Sequence, residues 1–476
     1  MDWRDRVQVK IALPKGELQE RTAALMGKAG FAIDEYSEGS RSYRPQCEEY
    51  PGLFTKVFQE KDIAIQLAIG NYDLGICRLD WVEELLVKYH SDALVKIADL
   101  GYGKRSLYAA VAGSSGEESL ESLRSRSESL RIVSEYPNLS ESFALKQRLR
   151  RFQIFPAWGA VGVYPPENAD MAVMTETSPD WLRVQGLVPV ASILESSACL
   201  VANRNSLERK DLSRLLSTIS SIRIGKQRDK SAAGVELEAD LQRSSMEQPV
   251  ISIALPDGHQ RPHTVDFLNR AGLEVDGYNT GKMGNRPRIA LDGVMVKVVR
   301  PQDMPLHVAN GNFDLAVTGR DWLLDHRFRF PSSPVEELLE LGFGRVRIVA
   351  VVTQDMPVSS TADLRKLNRT SALRVASEYT NIADKYVNDN HLTPCKIIPT
   401  WGASEAFLPE DADVLIENTE TGSTIAKHKL KIIDTLFESC ACLIGSPNTL
   451  KRPDKSEKAS QIIDIIRRGL EPRPVT

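Results

Sequence analysis

The sequence predicts an α/β protein written twice in tandem, with parallel or mixed sheets flanked by helices. Two observations predict it. Short blocks recur in the same order at a nearly constant offset: "VKIALPKG" from Val9 and "ISIALPDG" from Ile251, "GNYDLGICRLDW" and "GNFDLAVTGRDW", "RIVSEYPN" and "RVASEYTN", "AWGA" and "TWGA", "ESSACL" and "ESCACL". A repeat of that length is a duplicated domain, far too long for a solenoid unit. Within each copy, short β-branched runs alternate with amphipathic helical patterns, the signature of sheets covered by helices.

The elements follow in order. "VQVKIAL" reads as a strand and "ELQERTAALMGKAG" as a helix closed by Gly30. "YDLGIC" is a strand and "DWVEELLVKY" a helix; "LRIVSEY" is a strand, and a helix runs through "SESFALKQRLR". "ADMAVM" and "SSACLVAN" are further strands. The boundaries are residues 1–224 for the first copy, 225–249 for a charged linker with a helical piece at "VELEADLQ", and 250–476 for the second copy.

With 476 residues the chain exceeds one ordinary core, and 42% hydrophobic with 26% charged residues is globular composition. A net charge of −4 carries no nucleic-acid footprint. No apolar run is long enough to span a membrane and the start has no signal-peptide stretch, so a cytoplasmic protein is expected. The six cysteines have no CxxC spacing; Cys440 and Cys442 read as core residues. His259 and His263 are four apart but Pro262 intervenes and no third ligand is near, so no metal site is expected.

Ligands in such folds sit beyond the carboxyl ends of the strands. There the second copy writes "ADVLIENTETGST". Asp413 and Glu417, four apart, share a strand face. Gly422 permits φ > 0 and close backbone approach, and Thr421, Ser423 and Thr424 add hydroxyl donors around an N–H nest. Carboxylates for ribose hydroxyls and a nest for the 5′-phosphate suit a sugar phosphate, although helix-capping Ser and Thr alone also write such a loop. The first copy has Met174 for Glu417, and Ser178, Pro179 and Asp180 for Gly422, Ser423 and Thr424. A carboxylate about 4 Å from a phosphate costs about 4 kcal/mol at an effective dielectric near 20, and Pro179 removes a nest N–H. Arg300, suited to bidentate phosphate contact, faces Gln59 in the alignment; Glu405 faces Gly162, and Gly319 faces Arg78. The trend reverses once, where Asp257 replaces Lys15. Arg286 and Arg288, and their counterparts Arg41 and Arg44, could reach phosphates or stay solvated.

"IALPKGEL", "RPQDMP…GNFDLAVTGRDW", "ASEYTN", "WGASEAFLPEDADVLIENTETGSTI" and "LFESCACLI" together resemble the ATP phosphoribosyltransferase family of histidine biosynthesis, across nearly the whole chain outside the linker. The resemblance implies two bilobal units like type II periplasmic binding proteins, each with two α/β lobes around a cleft. It implies transfer of phosphoribosyl from phosphoribosyl pyrophosphate to N1 of ATP, with Mg²⁺, releasing pyrophosphate. Asp413 and Glu417 would face the ribose, Thr421 to Thr424 would hold the 5′-phosphate, Arg300 would meet pyrophosphate or nucleotide phosphates, Glu405 would lie near the nucleotide, and Lys15 matches the lysine of the family's opening turn. The partners implied are the two small-molecule substrates, an internal pseudo-dimer, further homo-oligomers and a separate regulatory subunit. Alternatives are a different acceptor, prompted by Asp257, and a non-catalytic ligand sensor.

Overall fold

The computed structural model describes residues 9–37, 39–40, 42–89, 92–116, 119–222, 224, 251–280, 286–368 and 371–471. The proposed linker, with its helical piece, and Arg41 lie outside them. Among the described residues four five-stranded sheets form, two per copy. In the first lobe of copy one the order is Leu53–Phe58, Val9–Pro14, Leu74–Arg78, Ala198–Asn203, Leu94–Asp99. The first three are parallel, while Ala198–Asn203 runs antiparallel to both its neighbours. The second lobe repeats this plan with Phe152–Pro156, Leu130–Ser134, Met171–Glu176, Arg105–Ala112 and Leu187–Ser196. The chain therefore crosses between lobes twice, after Leu94–Asp99 and after Leu187–Ser196. Copy two has the same strand order in both lobes. These are the tandem bilobal units the sequence predicts.

Local chemistry explains the elements. The helix Gln19–Lys28 ends at Ala29, followed by Gly30 at φ +72°, a left-handed stop that a side chain would strain. The helix Pro137–Lys146 begins with Pro, whose missing N–H is no loss at a first turn, and is four residues shorter at its carboxyl end than "SESFALKQRLR" suggests. Arg148, at φ +57°, turns the chain there. Glu84, on the helix Leu79–Tyr89 of the other lobe, accepts the Asn138 and Leu139 N–H groups at 2.9 and 2.8 Å. Asp325 does the same for Asn381 and Ile382, both at 3.0 Å. Each copy thus ties its lobes by a carboxylate placed on a helix N-terminus.

The copies pack head to tail. One buried cluster joins the first lobe of copy one to the second lobe of copy two, with Phe58, Ile63 and Tyr72 against Ile398, Phe407 and Leu415. A second joins the other two lobes, with Val133, Phe155 and Tyr164 against Val299, Met304 and Phe313. Each shared core encloses a lysine from the middle of an apolar strand. Lys56 is fully buried and donates to Asp411 at 2.5 Å and Glu410 at 2.9 Å. Lys297, also fully buried, donates to Glu167 and to the Tyr164 carbonyl, both at 2.8 Å. Arg44 adds bonds to Glu410 and to the Ala406 and Leu408 carbonyls, and Arg286 bonds Glu167 and the Val163 and Pro165 carbonyls. Both arginines, candidates for phosphate contact by sequence, are clamps between the copies.

Removing one partner of a buried pair leaves the other charge uncompensated, at about 3–5 kcal/mol. Lys56→Ala should lower the unfolding free energy by about that amount in a urea titration. An unchanged midpoint would show that the copies do not depend on this pair.

Candidate active site

The strand Val414–Thr419 carries Glu417 at its carboxyl end, opposite Val349 of the neighbouring strand. Glu378 follows directly on the parallel strand Leu373–Ser377. Between them the turn at Gly402 (φ +83°) and Ala403 (φ +55°) leads into a short helix, Ser404–Phe407, that carries Glu405. Three glutamates thus converge from three strand ends. Ser404 Oγ and the Asn418 N–H, the latter at 2.9 Å, both donate to Glu417. Burial, then repulsion from Glu378, pushes the Glu417 carboxyl up to about 8, against the relief of those bonds. Burial and Glu405 push Glu378 up to about 7, opposed by the Gly402 N–H and by Arg300. Glu405 faces His428 Nε2 at 3.6 Å.

Beside this cluster lies the exposed loop. Gly422 takes the left-handed conformation, φ +79° and ψ 2°, as the cap of the helix Ser423–Lys427. Its N–H donates to Thr419 Oγ1 at 2.9 Å, and Thr421 Oγ1 bonds Ser423 Oγ at 3.0 Å. The predicted hydroxyls of Thr421, Ser423 and Thr424 are exposed to solvent around that turn. Asp413 is set apart from them. It precedes the strand, where Arg374 holds it through its N–H, Nε and Nη2, the last at 2.8 Å. Four residues of extended chain span about 13 Å, so a shared face did not mean a shared site. Asp170 and Arg131 repeat the clamp in copy one, which marks it as part of the fold.

The first lobe of copy one reaches this site. Lys15 Nζ donates to Tyr43 OH at 3.3 Å and lies 4.9 Å from its ring centroid. The Tyr43 ring is 5.9 Å from that of His428, which faces Glu405. Gln59 Nε2 is 3.9 Å from where a Cβ on Gly402 would stand. Arg300 comes from the first lobe of copy two; its guanidinium pairs with Asp257 at 3.4 Å and acts on Glu378. Sequence reasoning singled out Lys15, Glu405, Glu417 and Arg300, and it missed Glu378, Tyr43 and His428. Glu378 stood in the repeated "SEY" block, so its place after a strand was the available signal. Tyr43 and His428 meet only because the copies pack head to tail.

Copy one carries other groups at the same place. Glu135, Gly162, Met174 and Gln185 stand for Glu378, Glu405, Glu417 and His428, around a cavity of about 250 Å³. Gln185 Oε1 lies 2.7 Å from where a Cβ on Gly162 would sit. Ser178 caps its helix with φ −153°, so the turn that Gly422 makes is absent. The Arg78 guanidinium bonds Glu17 at 2.6 Å and Glu60 at 2.8 Å, with Arg105 also on Glu17. Gly319, its counterpart, has no room for a side chain: a Cβ there would be 2.0 Å from Asp321 Oδ1.

A bilobal α/β unit with a carboxylate cluster beside an exposed left-handed glycine turn is the architecture of a ligand-binding cleft at strand ends. The family model for ATP phosphoribosyltransferase, HisG, matches residues 59–221 and 300–468, and the chain belongs to that family of glycosyltransferase-type enzymes. The ATP phosphoribosyltransferase of Chlorobium chlorochromatii is 31% identical over 227 residues, 47% of this chain and 72% of the relative. That of Chlorobium phaeovibrioides is 30% identical over 214 residues, 44% of this chain and 68% of the relative. Each match is therefore about one copy long. Among solved structures, a HisG:HisZ complex from Thermotoga maritima aligns at 19% identity and TM-score 0.38, over 46% of this chain and 98% of that one. The sulphonate-binding protein SsuA of Escherichia coli aligns at 11% identity and TM-score 0.30, over 47% and 69%. No helix among the described residues is long and apolar enough to cross a membrane.

The acid cluster gives a signed pH dependence. An acid whose folded value is raised holds its proton in the folded chain and loses it in the unfolded one. The stability so contributed is present below the ordinary value and lost as pH rises through the folded value. For Glu417 that window runs from the ordinary 4.5 to about 8. Glu417→Gln should therefore gain melting temperature relative to the wild type between pH 5 and 8.5. A constant difference across that range would show that Glu417 is ionised throughout.

Proposed function

We propose that the chain transfers the phosphoribosyl group from phosphoribosyl pyrophosphate to N1 of ATP, releasing pyrophosphate, at one site per chain. The observation that carries this reading is that the glutamate cluster and the left-handed glycine loop occur together only in copy two. The loop N–H groups and the hydroxyls of Thr421, Ser423 and Thr424 hold the 5′-phosphate, and Glu417 accepts from ribose hydroxyls. In the transfer the C1–O bond to pyrophosphate breaks as the N1–C1 bond forms. Negative charge grows on the leaving group, and Lys15 and Arg300 are the cations on the facing lobes that meet it. Alkylation at N1 makes the exocyclic amine of adenine acidic. Glu378, held near neutrality, is the carboxylate suited to take that proton.

Mg²⁺ enters this reading as part of the substrate. Phosphate oxygens of the substrates would hold it in the cleft. Asp257 favours a second reading with another acceptor, because it replaces the cation of the opening turn and engages Arg300 at 3.4 Å.

Pyrophosphate release from phosphoribosyl pyrophosphate, with ATP compared against other nucleobases and nucleotides, tests the reaction; release with ATP is expected and its absence would reject this acceptor. Calorimetry with phosphoribosyl pyrophosphate should give one site per chain, abolished by Gly422→Pro, which cannot adopt φ +79° and has no N–H. Two equivalent sites would overturn the division between copies. Lys15→Ala should lower turnover at least tenfold with an unchanged melting temperature, although Lys15 lies in the copy without the loop. Wild-type turnover would remove copy one from the chemistry.

A further inference from the structure

Between the copies lies a second cavity, of about 460 Å³, in the range of small-molecule sites. Its walls come in matched pairs, one residue from each copy, as Trp158 and Trp401 show. The backbone beneath them is alike in both halves. The Asp62 N–H donates to the Gln59 carbonyl at 3.0 Å across Lys61, and the Asp303 N–H to the Arg300 carbonyl at 3.1 Å across Gln302. The Ala157 N–H donates to the Ser134 carbonyl at 2.9 Å, and the Thr400 N–H to that of Ser377 at 3.1 Å. Trp81 stacks on Tyr136 at 4.3 Å, and Trp322 on Tyr379 at 4.2 Å. A difference between the halves is therefore a difference of side chains on one common frame.

Copy one builds an ammonium into its half. Lys61 Nζ lies 3.1 Å from Glu135 and 4.8 Å from the centroid of the Trp81 ring, an ion pair held on an indole face. The pair joins the first lobe of that copy to its second. In copy two the carboxylate and the indole recur as Glu378 and Trp322, but Gln302 stands for the lysine and Thr400 for Ala157. All four of these copy-two residues line the cavity. Gln302 Oε1 is buried with no hydrogen-bond partner among the described residues, and so is the hydroxyl of Thr400, a residue 1% exposed. A buried polar atom left unpaired costs about 1–3 kcal/mol. Copy two thus offers an amide carbonyl, a hydroxyl and a carboxylate where copy one has its own cation. Three acceptors match the three N–H donors of a primary ammonium. The other cations of the wall lie elsewhere: Lys88 is over Tyr89 at 5.4 Å and Arg329 over Phe330 at 5.1 Å, both rings being exposed. The indoles of Trp158 and Trp401, 6.2 Å apart, give an apolar stem a surface to lie on.

We infer that the copy-two half of this cavity binds the primary ammonium group of an alkylamine, in the place that Lys61 fills in copy one. The ammonium donates to Glu378, Gln302 Oε1 and Thr400 Oγ1 against the face of Trp322. Gln302 belongs to the first lobe of copy two, and Glu378 and Thr400 to the second. The ligand therefore joins the lobes of copy two as Lys61 joins those of copy one. Binding requires neither the transfer reaction nor its substrates, so the two readings stand or fall separately.

The probe is n-butylamine, the lysine side chain as a free molecule. It is titrated into the full chain at fixed pH and ionic strength and followed by tryptophan fluorescence. A saturable change is expected, half-complete at millimolar amine. 1-Butanol, which lacks the charge, and tetramethylammonium, which lacks the N–H donors, should each bind at least tenfold more weakly. Gln302→Lys, which copies the arrangement of Lys61, should abolish the response with the melting temperature kept, and Thr400→Val should weaken it severalfold. No saturable response, equal binding of 1-butanol or tetramethylammonium, or a wild-type response in folded Gln302→Lys would overturn the assignment. Should Gln302→Lys fail to fold, unchanged affinity in Thr400→Val overturns it instead.

Discussion

The two shared cores, each closed over a buried lysine, are the constraint on which everything else in this molecule depends. A lysine in the middle of "LFTKVF" or "VMVKVV" cannot be buried within its own copy without a partner, since an isolated ammonium in an apolar core is prohibitively costly. The partners come from the other copy: Glu410 and Asp411 for Lys56, Glu167 for Lys297. Only the head-to-tail arrangement brings them together. That arrangement also sets Gln59, at the end of the Leu53–Phe58 strand, against the Gly402 turn, and Lys15 behind Tyr43 near His428.

Covalent linkage then permits an asymmetry that two identical subunits could not have. In a symmetric pair each change would strike both clefts. Here Arg78 engages Glu17 and Glu60 in copy one, while its counterpart Gly319 stands against Asp321 with no room for a side chain. Met174 and Gln185 take up space where Glu417 and His428 provide polar groups. At the faces between the copies Trp158 matches Trp401 and Lys56 matches Lys297, while Gln59 and Lys15 stand where the second copy has Arg300 and Asp257. The pattern follows the geometry: the glutamate cluster and the glycine turn differ between the copies, while the buried lysine and the interface tryptophan recur in both.

Much of the fold was legible because duplication doubles the signal. Each strand named from one copy had a second sighting in the other, and glycine stops such as Gly30 act locally. The loop was legible for the same reason, since Gly422 stood against Ser178. Asp413 was misread because sharing a strand face says nothing about which end of the strand is meant. Arg44 and Arg286 were left open between phosphate contact and solvent, and their carboxylate partners lie over a hundred positions away in sequence. Tyr43, His428 and the tryptophan cavity belong to contacts between copies, and no local pattern encodes those.

The electrostatics of the acid cluster give the packing its chemical sense. Glu378 and Glu417, near 7 and 8, resist ionising together, because each is buried and each repels the other. Neutral carboxyls are poor acceptors for sugar hydroxyls, so the cluster works best when positive charge approaches it. In the proposed reaction that charge comes from two directions, Arg300 in the first lobe of the same copy and Lys15 in the first lobe of the other. Motion of either lobe toward the cluster would then do two things at once: draw protons off Glu417, proposed to accept from the ribose, and Glu378, proposed to take the amine proton, and bring cations to the pyrophosphate as it leaves. A cation fixed permanently in the cluster would satisfy the first need and obstruct the second, since it would hold the product. Placing the positive charge on opposing lobes separates binding from release, and that placement requires both copies.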